Sequence, residues 1–182
     1  MKIQSLLWLE LRRKQILVVG YNGDTCTENA SKVAYEVGLE IARAGFVLIT
    51  GGLGGVMQAA SCGAKDGGGL VVGIIPQDDK TEANPFCDIV IATGIGYARD
   101  FVTASSADAV IIVGGGAGTL IEVAAAYQKH IPIIAVKGTG GVADRYGNGY
   151  IDDRQTERII LAESPIEAVN SAINSSWPLQ EY

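Results

Sequence analysis

The residues able to do chemistry are concentrated in one run, Gly114-Gly115-Gly116-Ala117-Gly118-Thr119-Leu120-Ile121-Glu122, directly after the short apolar stretch Ala109–Val113. Three consecutive glycines end a strand and let the backbone approach a ligand with no Cβ in the way. Helical spacing then begins, with Leu120, Val123, Ala124 and Tyr127 on one stripe. The turn therefore stands at a helix N-terminus, where unpaired N–H groups and the positive end of the helix dipole favour phosphate or carboxylate. Gly115, Gly116 and Gly118 are the backbone candidates for holding phosphate, and Thr119 adds a hydroxyl donor. Glu122 is placed to look into the same crevice. Two roles are open to it: chemistry on a phosphorylated ligand, or simple complementation of the helix dipole.

Two further turns carry candidate ligand residues. The strand at 15–20 runs into Tyr21-Asn22-Gly23-Asp24, and the strand at 46–50 into Gly51-Gly52-Leu53-Gly54-Gly55. Gly20, Asn22, Gly51 and Gly52 are accordingly the candidates on the nucleotide side. Positioning three such turns together requires a parallel sheet, since its strands all end on one edge. The rest of the pattern fits: strands at 70–75, 88–92, 109–113, 131–136 and 159–162 alternate with helices at 28–44, 56–65, 97–106 and from 165 to about 174. Ser164-Pro165-Ile166-Glu167 is a helix-start signature. The predicted fold is α/β, a Rossmann-like, doubly wound parallel sheet in three α/β/α layers. Ligands in such sheets bind beyond the carboxyl strand ends where the winding reverses, so strands 15–20 and 109–113 are expected as central neighbours. Residues 1–14 form an N-terminal extension and 15–182 one nucleotide-binding domain. Residues 77–86 read as a mobile surface loop, and 138–154 as a long glycine-rich loop.

Composition narrows the function. The chain has 182 residues, 24 glycines and a formal net charge of −6, which disfavours nucleic-acid or anionic-membrane surfaces and leaves a locally bound small anion. Three dispersed cysteines, Cys26, Cys62 and Cys87, point to a reducing, cytoplasmic setting. The apolar patch in residues 1–14 lacks the order of a signal peptide, and glycines with Glu122 interrupt 107–127 as a membrane span. No G-x-G-x-x-G fingerprint and no P-loop occurs. His130 is the single histidine, at a helix end, and Asp144 to Gln155 departs from a calcium loop at Tyr146 and Gln155. No metal site and no cofactor is implied.

The run from Gly115 to Glu122 resembles the PGGxGTxxE signature of the Lonely-Guy (LOG)-like family, which includes cytokinin-activating nucleoside 5′-monophosphate phosphoribohydrolases and was long labelled "possible lysine decarboxylase". Thr50-Gly51-Gly52 with Gly54-Gly55-Val56-Met57 is similar to the family's second glycine segment, and Gly73-Ile74-Ile75-Pro76 to its G-x-x-P strand end. The resemblance covers residues 15–175 and implies that Arg99 and Glu122 are catalytic in a phosphoribohydrolase. N-glycosidic cleavage would use the glycine turn to anchor the 5′-phosphate and Glu122 to stabilise positive charge on the ribose. Three departures stand out: Gly114 for proline, Ile121 for the first of two paired glutamates, and Asp100 for the lysine after the arginine. They look more like the branch of small bacterial and archaeal proteins related to the algal molybdenum-cofactor carrier. In that branch a phosphorylated pterin or nucleotide is held without being cleaved. Both readings imply a small phosphorylated ligand and a homodimer or higher homo-oligomer. A lysine decarboxylase finds no support, since no lysine stands beside a strand-end turn with a cofactor partner.

Overall fold

The computed structural model describes residues 12–176. Seven strands form one sheet: β1 (Gln15–Gly20), β2 (Val47–Thr50), β3 (Leu70–Ile75), β4 (Ile89–Ala92), β5 (Ala109–Val113), β6 (Ile133–Val136) and β7 (Ile160–Ala162). Their spatial order is β4-β3-β2-β1-β5-β6-β7, and every adjacent pair is parallel. Six helices connect them: α1 (Glu28–Arg43), α2 (Val56–Asp66), α3 (Arg99–Ser105), α4 (Ala117–Gln128), α5 (Gly141–Tyr146) and α6 (Pro165–Ser176). The winding reverses between β1 and β5, the two central strands, where Gly20 stands opposite Val113. The expected centre of the sheet is therefore present, and β4 takes the edge beside β3.

Because the central strands are buried on both sides, their sequences are continuous apolar runs rather than alternating ones. Ile16 and Val18 of β1 face α1, α2 and α6, packing with Ala34, Ile41, Ala60 and Val169. Leu17 and Val19 face the opposite layer, with Val123, Ala126 and Tyr127 of α4 and Val142 of α5. Helix starts follow local chemistry. The Thr27 hydroxyl accepts the Ala30 N–H at 3.1 Å to cap α1, and the Ser164 hydroxyl accepts the Glu167 N–H at 3.2 Å to cap α6. At the opposite edge of the sheet from the glycine turns, the Asp108 carboxylate pairs with Arg12 and accepts the Gln15 N–H at 2.9 Å, pinning the start of β1 to the start of β5.

Several expectations are corrected. Residues 138–154 are not plain loop, because α5 lies within them. Asp144 accepts the N–H groups of Gly138 (2.7 Å) and Gly140 (2.9 Å), which organises the entry to that helix. Residues 77–86 contain a 3₁₀ turn at Lys80–Glu82 and are laced to the second glycine turn. There Asn84 donates its backbone N–H to Gly52 and its side-chain amide to Leu53, at 2.8 and 3.1 Å. Strand β6 begins at Ile133 rather than 131, because Pro132 has no N–H for a ladder, although its carbonyl accepts the Val110 N–H. The proposed N-terminal extension falls, as far as residue 11, outside the described residues.

Candidate functional site

The end of β1, the end of β2 and the first turn of α4 converge above the switch point. Gly20 cannot carry a side chain there, since a Cβ would lie 2.2 Å from the Val113 carbonyl oxygen. This close approach lets Thr119, on the first turn of α4, reach back across β1. Its hydroxyl donates to the Gly20 carbonyl at 2.9 Å. The hydroxyl expected to serve a phosphate is thus committed to the fold, and what Thr119 offers the crevice as a donor is its backbone N–H. Beside it, Gly118 and the free amides of the first helical turn remain available.

The crevice above them measures about 340 Å³ and is lined by Gly20, Asn22, Gly51, Arg99, Gly118, Thr119 and Glu122, together with Leu53, Met57, Pro76, Gln77, Tyr97 and Asp100. Three sequence candidates lie elsewhere. Gly115 and Gly116 line a separate cleft with Gly141, Val142 and Arg145, on the α5 side of the α4 start. Gly52 is packed inward at φ +72°, where a Cβ would meet Ile75 at 2.5 Å. The G-G-x-G-T run therefore faces two ways, and only its second half opens on the crevice.

At the heart of the crevice are three ionisable residues, each more than nine-tenths buried. Arg99 and Asp100 begin α3, while Glu122 comes from α4, and the two helices pack side by side. The Arg99 Nη1 atom lies 3.8 Å from Glu122 Oε1, and Nε lies 3.6 Å from Asp100 Oδ1. Both distances are too long for hydrogen bonds, and Arg99 Nε is left buried without a partner. Burial pushes the Glu122 carboxyl up to about 8; the Arg99 charge opposes that shift and the Asp100 charge adds to it. Glu122 is accordingly protonated at neutral pH. Burial also raises the Asp100 carboxyl, against the pull of Arg99. The guanidinium rests on the second glycine turn: a Cβ on Gly51 would stand 2.4 Å from Nη1. Gly51 thus serves as the seat of Arg99.

Two lining residues, Gln77 and Tyr97, were not legible as site residues from the sequence. Gln77 follows the strand-ending Pro76, and Tyr97 sits in a 3₁₀ turn at Gly96–Ala98. Only the position of Pro76 in the G-x-x-P strand end hinted at a ligand edge. Asp100 was noted as a departure and not as a member of the site, yet its carboxylate stands against Gly118 at the α4 start. His130 is exposed at the end of α4 with φ +55°, and its backbone N–H bonds the Tyr127 carbonyl. It plays no part in the crevice. Among the described residues no cluster of metal-ligating side chains occurs, and no helix is long and apolar enough to cross a membrane.

Comparisons with known proteins agree with this architecture. The model of the SLOG cluster4 family matches residues 13–169. An uncharacterised protein of Archaeoglobus fulgidus is 42% identical over 91% of this chain and 99% of its own length. A cytokinin riboside 5′-monophosphate phosphoribohydrolase of Mycobacterium tuberculosis is 29% identical, over 79% of this chain and 86% of its own. Among solved structures, the molybdenum cofactor carrier protein of Chlamydomonas reinhardtii superposes with a TM-score of 0.79 at 32% identity, covering 90% of this chain and 98% of that one.

Proposed function

Since the chain belongs to the SLOG cluster4 family, a LOG-like family with a branch resembling molybdenum cofactor carriers, we propose that its crevice binds a small phosphorylated, nucleotide-like molecule. The observation that carries this reading is the buried, under-bonded Arg99, held beside the open first turn of α4. A buried guanidinium with an unpaired N–H is a strong incentive for an anionic guest, because the guest's oxygens complete the hydrogen bonds that the protein leaves unmade. The phosphate sits against the amides of Gly118 and Thr119, and Arg99 reaches the phosphate or the adjoining sugar.

Holding is favoured over cleavage at neutral pH. Stabilising an oxocarbenium-like transition state requires a negative charge near the anomeric carbon, and Glu122 with its carboxyl pushed up to about 8 is mostly neutral there. Hydrolysis to ribose 5-phosphate is the second reading, supported by the Arg99–Glu122 pair and by the similarity to the mycobacterial phosphoribohydrolase. A panel of nucleoside monophosphates separates the two. Thermal stabilisation without release of ribose 5-phosphate is the expected result at pH 7, stabilisation with release selects the hydrolase, and no stabilisation by any of them overturns the proposal.

A homodimer belongs to the same proposal. Phe101 and Val102 of α3 and Ile121 of α4 are 58%, 40% and 39% exposed, on two helices whose other faces build the crevice. Light scattering at micromolar concentration should report twice the chain mass; a monomer counts against it.

A further inference from the structure

The crevice has a second end that the phosphate does not account for. Among the described residues only two buried side-chain atoms lack a hydrogen-bond partner, Arg99 Nε and Gln77 Oε1, and both belong to residues that line this crevice. Buried amide oxygens are nearly always paired, so an orphan on a residue that lines a cavity marks a position where a ligand can complete the bonding. Resting on the reading that the crevice binds a phosphorylated nucleotide-like molecule, we propose that Gln77 and Tyr97 form its heterocycle-recognition end, selecting a planar ring that offers an N–H donor.

The sheet provides the ruler. Gly118 and Thr119 stand above the end of β5, whereas Gln77 follows the end of β3, three strand positions away in the order β3-β2-β1-β5. At the usual strand spacing this is about 14 Å. A ligand filling the crevice therefore needs different chemistry at its two ends. Arg99 lies between them, seated on Gly51 at the end of β2. No lysine and no second arginine is among the described residues lining the crevice, so the Gln77 end carries no cation. A neutral group belongs there.

The local structure suits a flat ring. Leu53, Met57 and Pro76 supply apolar walls, and Tyr97 lines the mouth with 87% of its surface exposed, leaving its face free to stack. Tyr97 is held near Gln77 by the backbone. The Gln77 carbonyl accepts the Gly94 N–H at 3.0 Å and the Pro76 carbonyl accepts the Gly96 N–H at 3.1 Å, lacing the two segments together. With the main chain of Gln77 fixed in this way, its side-chain amide has an oxygen acceptor and a nitrogen donor to offer a ligand at this end. An aminopyrimidine edge, in which an amine lies beside a ring nitrogen, is the complement. Such an edge is common to purines and pterins.

The test is the Gln77→Met variant, which keeps the length of the side chain and removes both polar atoms. Affinities of the wild type and the variant are measured by calorimetry for adenosine, guanosine, cytidine and uridine monophosphates, with ribose 5-phosphate as the probe that lacks a ring. We expect at least a tenfold loss for the amine-bearing nucleotide that binds the wild type most tightly, no change for ribose 5-phosphate, and a melting temperature equal to or above that of the wild type. An unchanged nucleotide affinity, or an equal loss for ribose 5-phosphate, overturns the role of Gln77 and leaves the phosphate reading intact. Failure of the wild type to bind any of the five overturns both.

Discussion

Arg99 and Glu122 face each other across the crevice at 3.8 Å, near enough to attract and too far to hydrogen-bond. Such a gap differs from a structural ion pair, in which the two groups close to about 2.8 Å. It leaves the guanidinium under-bonded, and burial keeps the carboxyl protonated, so the site at rest is short of negative charge where an anion would enter. The resting geometry therefore favours capture of a phosphorylated guest, and its dependence on pH follows from the same pair.

Stability should fall as pH rises. The Glu122 carboxyl titrates near 4.5 when unfolded and is pushed up to about 8 in the fold, so between those values the folded chain holds a proton that the unfolded chain has released. This contribution is complete below pH 4.5 and lost by about pH 8, with a slope of at most about 1.4 kcal/mol per pH unit. Replacing Glu122 by Gln removes the titration. Urea unfolding from pH 5 to 8 should show the variant gaining on the wild type as pH increases; parallel curves would refute a raised Glu122.

Affinity for phosphorylated ligands should decline over the same upper range. Once Glu122 ionises, it stands beside Arg99 as a second negative neighbour together with Asp100, and the phosphate meets repulsion in place of a neutral carboxyl. Calorimetric affinity for ribose 5-phosphate should drop about tenfold between pH 7 and 9 in the wild type and stay flat in Glu122→Gln.

Gly51→Ala separates binding from folding. Its Cβ would meet Arg99 Nη1 at 2.4 Å and Met57 Sδ at 2.6 Å, both at the ends of flexible side chains, so the chain should still fold with a stability loss of about 1 kcal/mol. The displaced guanidinium should weaken phosphate binding by roughly 10- to 100-fold, the worth of a hydrogen bond to a charged group. Gly20→Ala makes the contrast. Its Cβ would stand 2.2 Å from the Val113 carbonyl, which is backbone and cannot yield, so little soluble protein is expected.

Thr119→Val should act on stability more than on affinity. The hydroxyl is spent on the Gly20 carbonyl, and its loss leaves that carbonyl without this bond, at a cost of about 1–2 kcal/mol in urea unfolding. The backbone N–H that faces the ligand is unchanged. A phosphate affinity within threefold of wild type is expected, and a loss as large as that of Gly51→Ala would mean that the hydroxyl turns to the ligand when it binds.

What the amino-acid sequence determined by itself was whatever depends on local pattern. The apolar runs at 15–20, 46–50 and 109–113 had to be buried parallel strands, the glycine turns had to stand at their carboxyl ends, and Ser164 had to cap a helix, because each follows from neighbours in the chain. The motif from Gly115 to Glu122 carried the family as well. Tertiary structure decided how the parts divide the work. Gly115 and Gly116 turn toward α5 while Gly118 faces the crevice, a choice made by the direction in which α4 leaves the sheet. Gly51 turned out to seat an arginine from 48 positions further along the chain. The Thr119 hydroxyl is claimed by Gly20 because β1 and β5 are neighbours, and Glu122 keeps its proton because α3 and α4 together exclude water around it. Burial, charge proximity and the loss of a donor to a distant carbonyl are properties of packed neighbours, and no local pattern encodes which neighbours those will be.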